Sequence, residues 1–113
     1  LMQQLVNAIT KECYVQHVEI ADTFWSRFRG LQFRKKLPGQ SGLLITPCSS
    51  LHTCFMFFAI DVIMLDQQFY VLDIRKNVRP WRMLFCRRGT TSVLEVPTGS
   101  LIPVGVQLRL VSV

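Results

Sequence analysis

Acidic side chains are scarce in this sequence: seven Asp and Glu stand against thirteen Lys and Arg in 113 residues, a net charge of +6. They are also unevenly spread, with none in residues 24–60 and none in residues 74–94. The first acid-free stretch carries Arg27, Arg29, Arg34, Lys35 and Lys36, and the second Arg75, Lys76, Arg79, Arg82, Arg87 and Arg88. Basic segments of this kind can neutralise phosphates or acidic partners. Long hydrophobic runs are lacking too. Cys54–Ile60 is the longest, far short of the ~18 residues that mark a membrane helix, so no membrane span is expected. No two of Cys13, Cys48, Cys54 and Cys86 have Cys-x-x-Cys spacing, and there are only two histidines. The expectation is therefore four reduced thiols, no bound metal and no cofactor. Helix-turn-helix, zinc-finger, KH and RNP patterns are absent, which makes nucleic acid an unfavoured partner. No basic segment followed by a signal-type apolar core opens the chain, so a cytoplasmic location is expected. The alternative is an exported protein whose leader is not part of this sequence.

What is present is a folding sequence. Half of the residues are hydrophobic and only 18% are charged, which excludes disorder. The length suits a single domain spanning residues 1–113, with no repeats, low-complexity tracts or linkers. Tyr14–Ile20, Gly42–Pro47, Leu51–Ala59, Ile60–Asp66, Phe69–Arg75 and Ser92–Val96 read as strands, rich in Val, Ile, Phe and Leu. In the last segment Val104, Val106, Leu108 and Leu110 alternate with Gly105, Gln107 and Arg109, the period of a half-buried strand. One short helix is expected near residues 22–29, capped by Asp22, with Phe24, Phe28 and Leu31 at i, i+4 and i+7. Arg27 and Arg29 fall in its last turn, and Gly30 is placed as its left-handed C-terminal cap. The fold class expected is mostly β, a β-sandwich, jelly-roll or barrel-like domain with that one helix.

The segment His52-Thr53-Cys54-Phe55-Met56-Phe57-Phe58-Ala59-Ile60-Asp61-Val62-Ile63-Met64-Leu65-Asp66 resembles the signature of domain-of-unknown-function family 192, His-Thr-x-Phe-Met-x-Phe-Pro-Ile-Asp-Val-x-Phe-Leu-Asp. Arg27, Arg29-Gly30-Leu31 and Arg34 resemble its Arg-x-x-Gly-Leu element, and Gly42-Leu43-Leu44 and Pro47-Cys48 its next pieces. Pro80-Trp81-Arg82 and Val93-Leu94-Glu95-Val96-Pro97, followed by Gly99, match the later blocks. The sequence departs from the pattern at Ala59, at Met64 and at Gly105-Val106, where the family carries Pro, Phe and Gly-Asp. The resemblance implies a bacterial or archaeal protein with a compact, mostly β fold, and it implies no reaction. A bacterial, cytoplasmic source is the expectation.

Candidate site residues are Arg29, His52, Thr53, Asp61, Trp81 and Glu95, with Gly30, Gly42, Pro80 and Gly99 as structural positions. No residue stands out as catalytic. Polar groups among apolar neighbours, such as Asp61 in Ile60–Leu65, must be hydrogen-bonded or paired. For Asp61 the expected partners are Arg27, Arg29 or the amides around Gly30-Leu31, an architectural clamp on the helix end. The leading functional expectation is a binding or interaction module with a basic rim, its partner a protein or an anionic small molecule. The alternative is a small, hydrolase-like enzyme using His52, Asp61 and Glu95. Trp81, between Pro80 and Arg82, either faces a partner or plugs the fold.

Overall fold

The computed structural model describes residues 3–32 and 34–113; the side chain of Phe24, and with it the packing expected of that residue, lies outside the described atoms. Ten strands and one helix follow in the order β1 (Gln3–Asn7), β2 (Cys13–Val15), β3 (His17–Ala21), α1 (Phe24–Arg29), β4 (Ser41–Ile45), β5 (Ser50–His52), β6 (Ile60–Leu65), β7 (Val71–Val78), β8 (Met83–Phe85), β9 (Ser92–Pro97) and β10 (Leu108–Ser112). The mostly-β expectation holds. The sheets are open, however, so of the expected architectures the closed barrel is not the one that forms.

A five-stranded sheet in the order β3-β4-β9-β6-β7 organises the molecule, with β9 in its middle. Strand β6 is buried throughout because all its residues but Asp61 are apolar, on both faces. Ile60, Val62 and Met64 join Leu43, Ile45 and Val93 in one core cluster. Ile63 and Leu65 join Leu44, Leu94 and Val96 in another, on the opposite face. The second face is covered by the three-stranded sheet β10-β1-β2, through Leu5, Val15 and Leu108. The two layers are tightly fitted at Gly42, where an added Cβ would come within 3.2 Å of Leu94, Val15 and Val96. The first face is covered by Leu31, just after α1, and by the ribbon β5-β8, through Leu51 and Leu84.

Strands β3 and β4 are parallel, which the sequence reading did not anticipate. Parallel neighbours need a crossover, and the connection that contains α1 provides it. The helix is therefore a connection as well as a cover. Its N-cap is Thr23 rather than Asp22: Thr23 and Ser26 form a reciprocal capping box. Gly30 closes it at φ 50° and ψ −128°, donating its amide to the Ser26 carbonyl. A side chain is strained at that backbone geometry. We predict that Gly30→Val lowers stability by about 1–2 kcal/mol or more, read as a lower denaturant midpoint at unchanged slope. An unchanged midpoint would rule out the strain argument.

Several boundaries differ from the sequence reading. Tyr14–Ile20 is two strands, broken at Gln16. Leu51–Ala59 extends only to His52 and then turns, with Phe55 at φ 63°. Cys54, which opens the longest apolar run, is only half-buried. Val104 and Gly105 form a turn ahead of β10 rather than part of it. The Asp66–Tyr70 hairpin forms without glycine: Asp66 Oδ1 accepts the Gln68 and Tyr70 amides, and Phe69 takes the left-handed position at φ 66°.

Candidate functional site

Alternation along the central sheet decides which polar residues can meet. Glu95 lies on β9 in register with Leu43 of β4 and Val62 of β6, on the face that carries Val93. Asp61 falls with Ile63 and Leu65, on the other face. The expected constellation of His52, Asp61 and Glu95 is thus divided by the sheet itself.

Glu95 forms part of the floor of a cavity of about 650 Å³, within the range of small-molecule sites. Ile45 shares the floor. Arg27, Phe28 and Gly30 of the helix end form one wall, Leu51, His52 and Met83 of the β5-β8 ribbon another, and Pro47–Ser50 and Thr90–Thr91 complete the lining. Most of this lining is apolar. Phe28 and Met83 are 58% and 64% exposed, so two large apolar side chains remain uncovered beside it. Arg29, the arginine singled out from sequence, is not in the lining and Arg27 is.

Glu95 is 2% exposed, and among the described residues its Oε1 has no hydrogen-bond partner. Gly30 approaches it closely: a Cβ there would lie 3.7 Å from Oε1. Burial pushes the Glu95 pKa up to about 8, against the opposing pull of Arg34, so the group keeps its proton at neutral pH. Arg34 is itself bridged to Glu19 at 2.6 Å.

His52 is held by its neighbours. Its Nδ1 accepts the Cys54 amide at 3.3 Å, its Nε2 lies 3.4 Å from Gln32 Nε2, and the Phe28 ring meets it edge-on at 5.6 Å. Cys48 also lines the cavity. Burial raises its thiol pKa, and burial pushes Cys86 up to about 11, so neither supplies a thiolate nucleophile at neutral pH. The four cysteines are free. Among the described residues no group of three His, Cys, Asp or Glu side chains is placed to hold a metal ion.

The other candidates have architectural surroundings. Asp61 does not touch Arg27, Arg29 or the Gly30-Leu31 amides, and that expectation is corrected. Its Oδ1 accepts the Asn77 amide at 2.9 Å, and its Oδ2 accepts the Gly99 and Ser100 amides at 3.1 and 3.0 Å. The ladder between β6 and β7 slips between Ile60 and Val62, and Asn77 has φ 54°, so Asp61 satisfies an amide that the bulge turns away from the sheet. Gly99, at φ 91°, forms the turn after β9. Thr53 is fully buried and ties down the loop before β8. Its hydroxyl donates to the Arg79 carbonyl at 2.6 Å and accepts the Arg82 amide at 2.8 Å, with Pro80 and Trp81 held between. Trp81, at φ 63°, is 59% exposed and packs edge-on against Phe55 at 4.8 Å, so it does not plug the fold.

The role of Arg27 was missed because two residues along a helix face nearly opposite sides, and the sequence alone does not fix which side meets a cavity. Phe28 and Met83 carried no signal beyond hydrophobicity.

Comparison with known proteins places this arrangement. A UPF0127 protein of Thermococcus sibiricus is 36% identical over 103 residues, which is 84% of this chain and 64% of the relative. A UPF0127 protein of Pyrococcus horikoshii is 34% identical over 100 residues, 84% of each chain. The chain thus spans just under two thirds of the Thermococcus relative. These relatives are archaeal, which corrects the expectation of a bacterial source. The crystal structure of a protein of unknown function from Novosphingobium aromaticivorans shares the fold, with TM-score 0.81 at 22% identity over 95% of this chain and 82% of that one. A Sinorhizobium meliloti structure does so equally, with TM-score 0.81 at 19% identity over 95% of this chain and 90% of that one. The DUF192 family model, described as uncharacterized ACR, COG1430, matches residues 5–108, and the chain belongs to that family.

Proposed function

We propose that this chain is a small-molecule-binding module whose ligand places an apolar body in the cavity between α1 and the β5-β8 ribbon. One observation carries this reading: Glu95, a buried carboxyl with an unpartnered oxygen, forms part of the floor of an apolar cavity. A polar group buried without a partner is costly, so such groups mark places where something else completes the bonding. The basic segments favour ligands with negative charge. The four free thiols suit a reducing compartment, the cytoplasm in this reading.

A protein partner is the second reading, favoured by the exposed Trp81 and Phe55 beside Arg79 and Arg82. The enzyme alternative is weakened, because Asp61 is directed to backbone amides on the far side of the sheet. What remains for it is one protonated acid, Glu95, and a tethered His52.

Anilinonaphthalene sulfonate, an apolar anion that fluoresces when desolvated, tests the proposal. The folded protein should bind one equivalent, and Ser50→Trp, which introduces an indole at the lining, should abolish that signal while leaving the melting transition intact. Undiminished fluorescence in Ser50→Trp would place the dye elsewhere and defeat the reading.

A further inference from the structure

We infer that the cavity is built for a monocarboxylate with an apolar chain, its head group hydrogen-bonded to the Glu95 carboxyl and paired with Arg27. The inference rests on the cavity being the ligand site and adds the class of ligand. Among the described residues that line the cavity, Glu95 is the only acidic one and Arg27 the only Lys or Arg. The Glu95 Oε1 is buried and has no hydrogen-bond partner among the described residues. A carboxyl that keeps its proton is a hydrogen-bond donor, and its strongest complement is a charged oxygen acceptor.

Three head groups can be compared on chemistry. An ammonium would require Glu95 to ionise and would meet the like charge of Arg27. A hydroxyl would satisfy Glu95 but leave Arg27 without a counter-charge. A carboxylate uses both: it accepts the Glu95 proton in an O–H···O⁻ bond and is balanced by the guanidinium. Phe28, Ile45, Leu51 and Met83 then line the path of the chain. The same logic explains why burial of Glu95 is tolerated, since a neutral acid avoids most of the desolvation cost of an ion.

Proton linkage follows. The charged or titratable groups around Glu95 are Arg34, Arg27, Cys48 and His52. Burial raises the Cys48 thiol pKa, and the Glu95 proton is lost as pH rises through about 8. Once ionised, Glu95 repels the carboxylate, and binding weakens.

Decanoate, decanol and decylamine, titrated calorimetrically into the full chain below their micellar concentrations, test the inference. Decanoate should bind one to one at about pH 6.5, at least about tenfold tighter than the other two, and weaken about tenfold or more by about pH 9.5. Glu95→Gln, which keeps a donor, should retain decanoate binding within a few-fold and lose the pH dependence. Glu95→Leu should abolish binding. Decanol binding as tightly as decanoate, decanoate binding unchanged between the two pH values, or full binding by Glu95→Leu would each overturn the carboxylate assignment while leaving the cavity as a ligand site. Absence of binding by all three amphiphiles overturns it as well, and if the naphthalene dye also fails to bind, the cavity reading falls with it.

Discussion

Glu95→Leu should make the protein more stable than the wild type above pH 8, by several kcal/mol. The reason lies in where the proton goes. An unfolded chain releases the Glu95 proton near 4.5, whereas the folded chain holds it until about 8, because burial disfavours the charged carboxylate. Between those values the folded state binds more protons than the unfolded one, so stability falls as pH rises through that window. The loss is roughly 1.4 kcal/mol for each pH unit, about 5 kcal/mol over the whole window. Below 4.5 stability from this group is fully present, and above about 8 the loss is complete. Leucine has no proton to lose and fits the apolar surroundings of Val62 and Leu43, which flank Glu95 in the sheet. The wild-type melting midpoint should therefore decline from pH 5 to pH 8.5 more steeply than that of Glu95→Leu. For a domain of this size each kcal/mol moves the midpoint by roughly 4–8 °C. Parallel pH profiles for the two proteins would show that Glu95 ionises freely and would remove the basis for a proton-holding site. A stabilising substitution at the cavity floor is what a binding site predicts, because a group kept for a ligand is a cost to the empty fold.

Much of the fold was legible because its strands carry their burial in their composition. Apart from Asp61, Ile60–Leu65 is apolar on both faces and is buried on both. Ser92–Val96 was readable through Val93, Leu94 and Val96. The run from Cys54 to Ala59 is equally apolar and is not a strand. What overrides it is Thr53, whose carbonyl accepts the Met56 and Trp81 amides and whose hydroxyl holds Arg79 and Arg82. Hydrophobic content cannot report a turn of that kind. The helix start slipped by one residue because Asp22 and Thr23 are both good caps, and only Thr23 has Ser26 at the reciprocal position. At the site, His52 and Glu95 were singled out from sequence and do line one cavity. Asp61 was grouped with them as a polar residue among apolar neighbours, yet strand parity turns it to the opposite face. The parallel pairing of β3 with β4 had no local signature, since it depends on where the chain returns after the helix.

Asp61→Ala should be the most destabilising single change on the other face of the sheet, by about 3–5 kcal/mol, since hydrogen bonds to charged groups contribute roughly 1.5–3 kcal/mol each and are not additive. Three backbone amides end on this one side chain. Asn77 comes from the bulge in β7, and Gly99 and Ser100 from the turn after β9. In chain order these lie 16, 38 and 39 residues from Asp61, so the carboxyl closes two loops at once. Alanine would leave all three amides without an acceptor in a place where Asp61 itself is 1% exposed. Asparagine keeps one acceptor oxygen but turns an NH2 toward donors, so Asp61→Asn should recover only part of the loss. An arginine clamp makes a different forecast: one of Arg27→Ala and Arg29→Ala would be as harmful as Asp61→Ala. The amide network instead requires both arginine variants to stay within about 0.5 kcal/mol of wild type, the range of surface substitutions. Either arginine variant should also combine additively with Asp61→Ala, as residues without shared partners do. Non-additivity between Asp61 and Arg27 would restore the clamp and tie the two faces of the sheet together. Additivity, with decanoate binding retained in Asp61→Asn, would make Asp61 a structural residue that acts on neither the cavity nor its ligand.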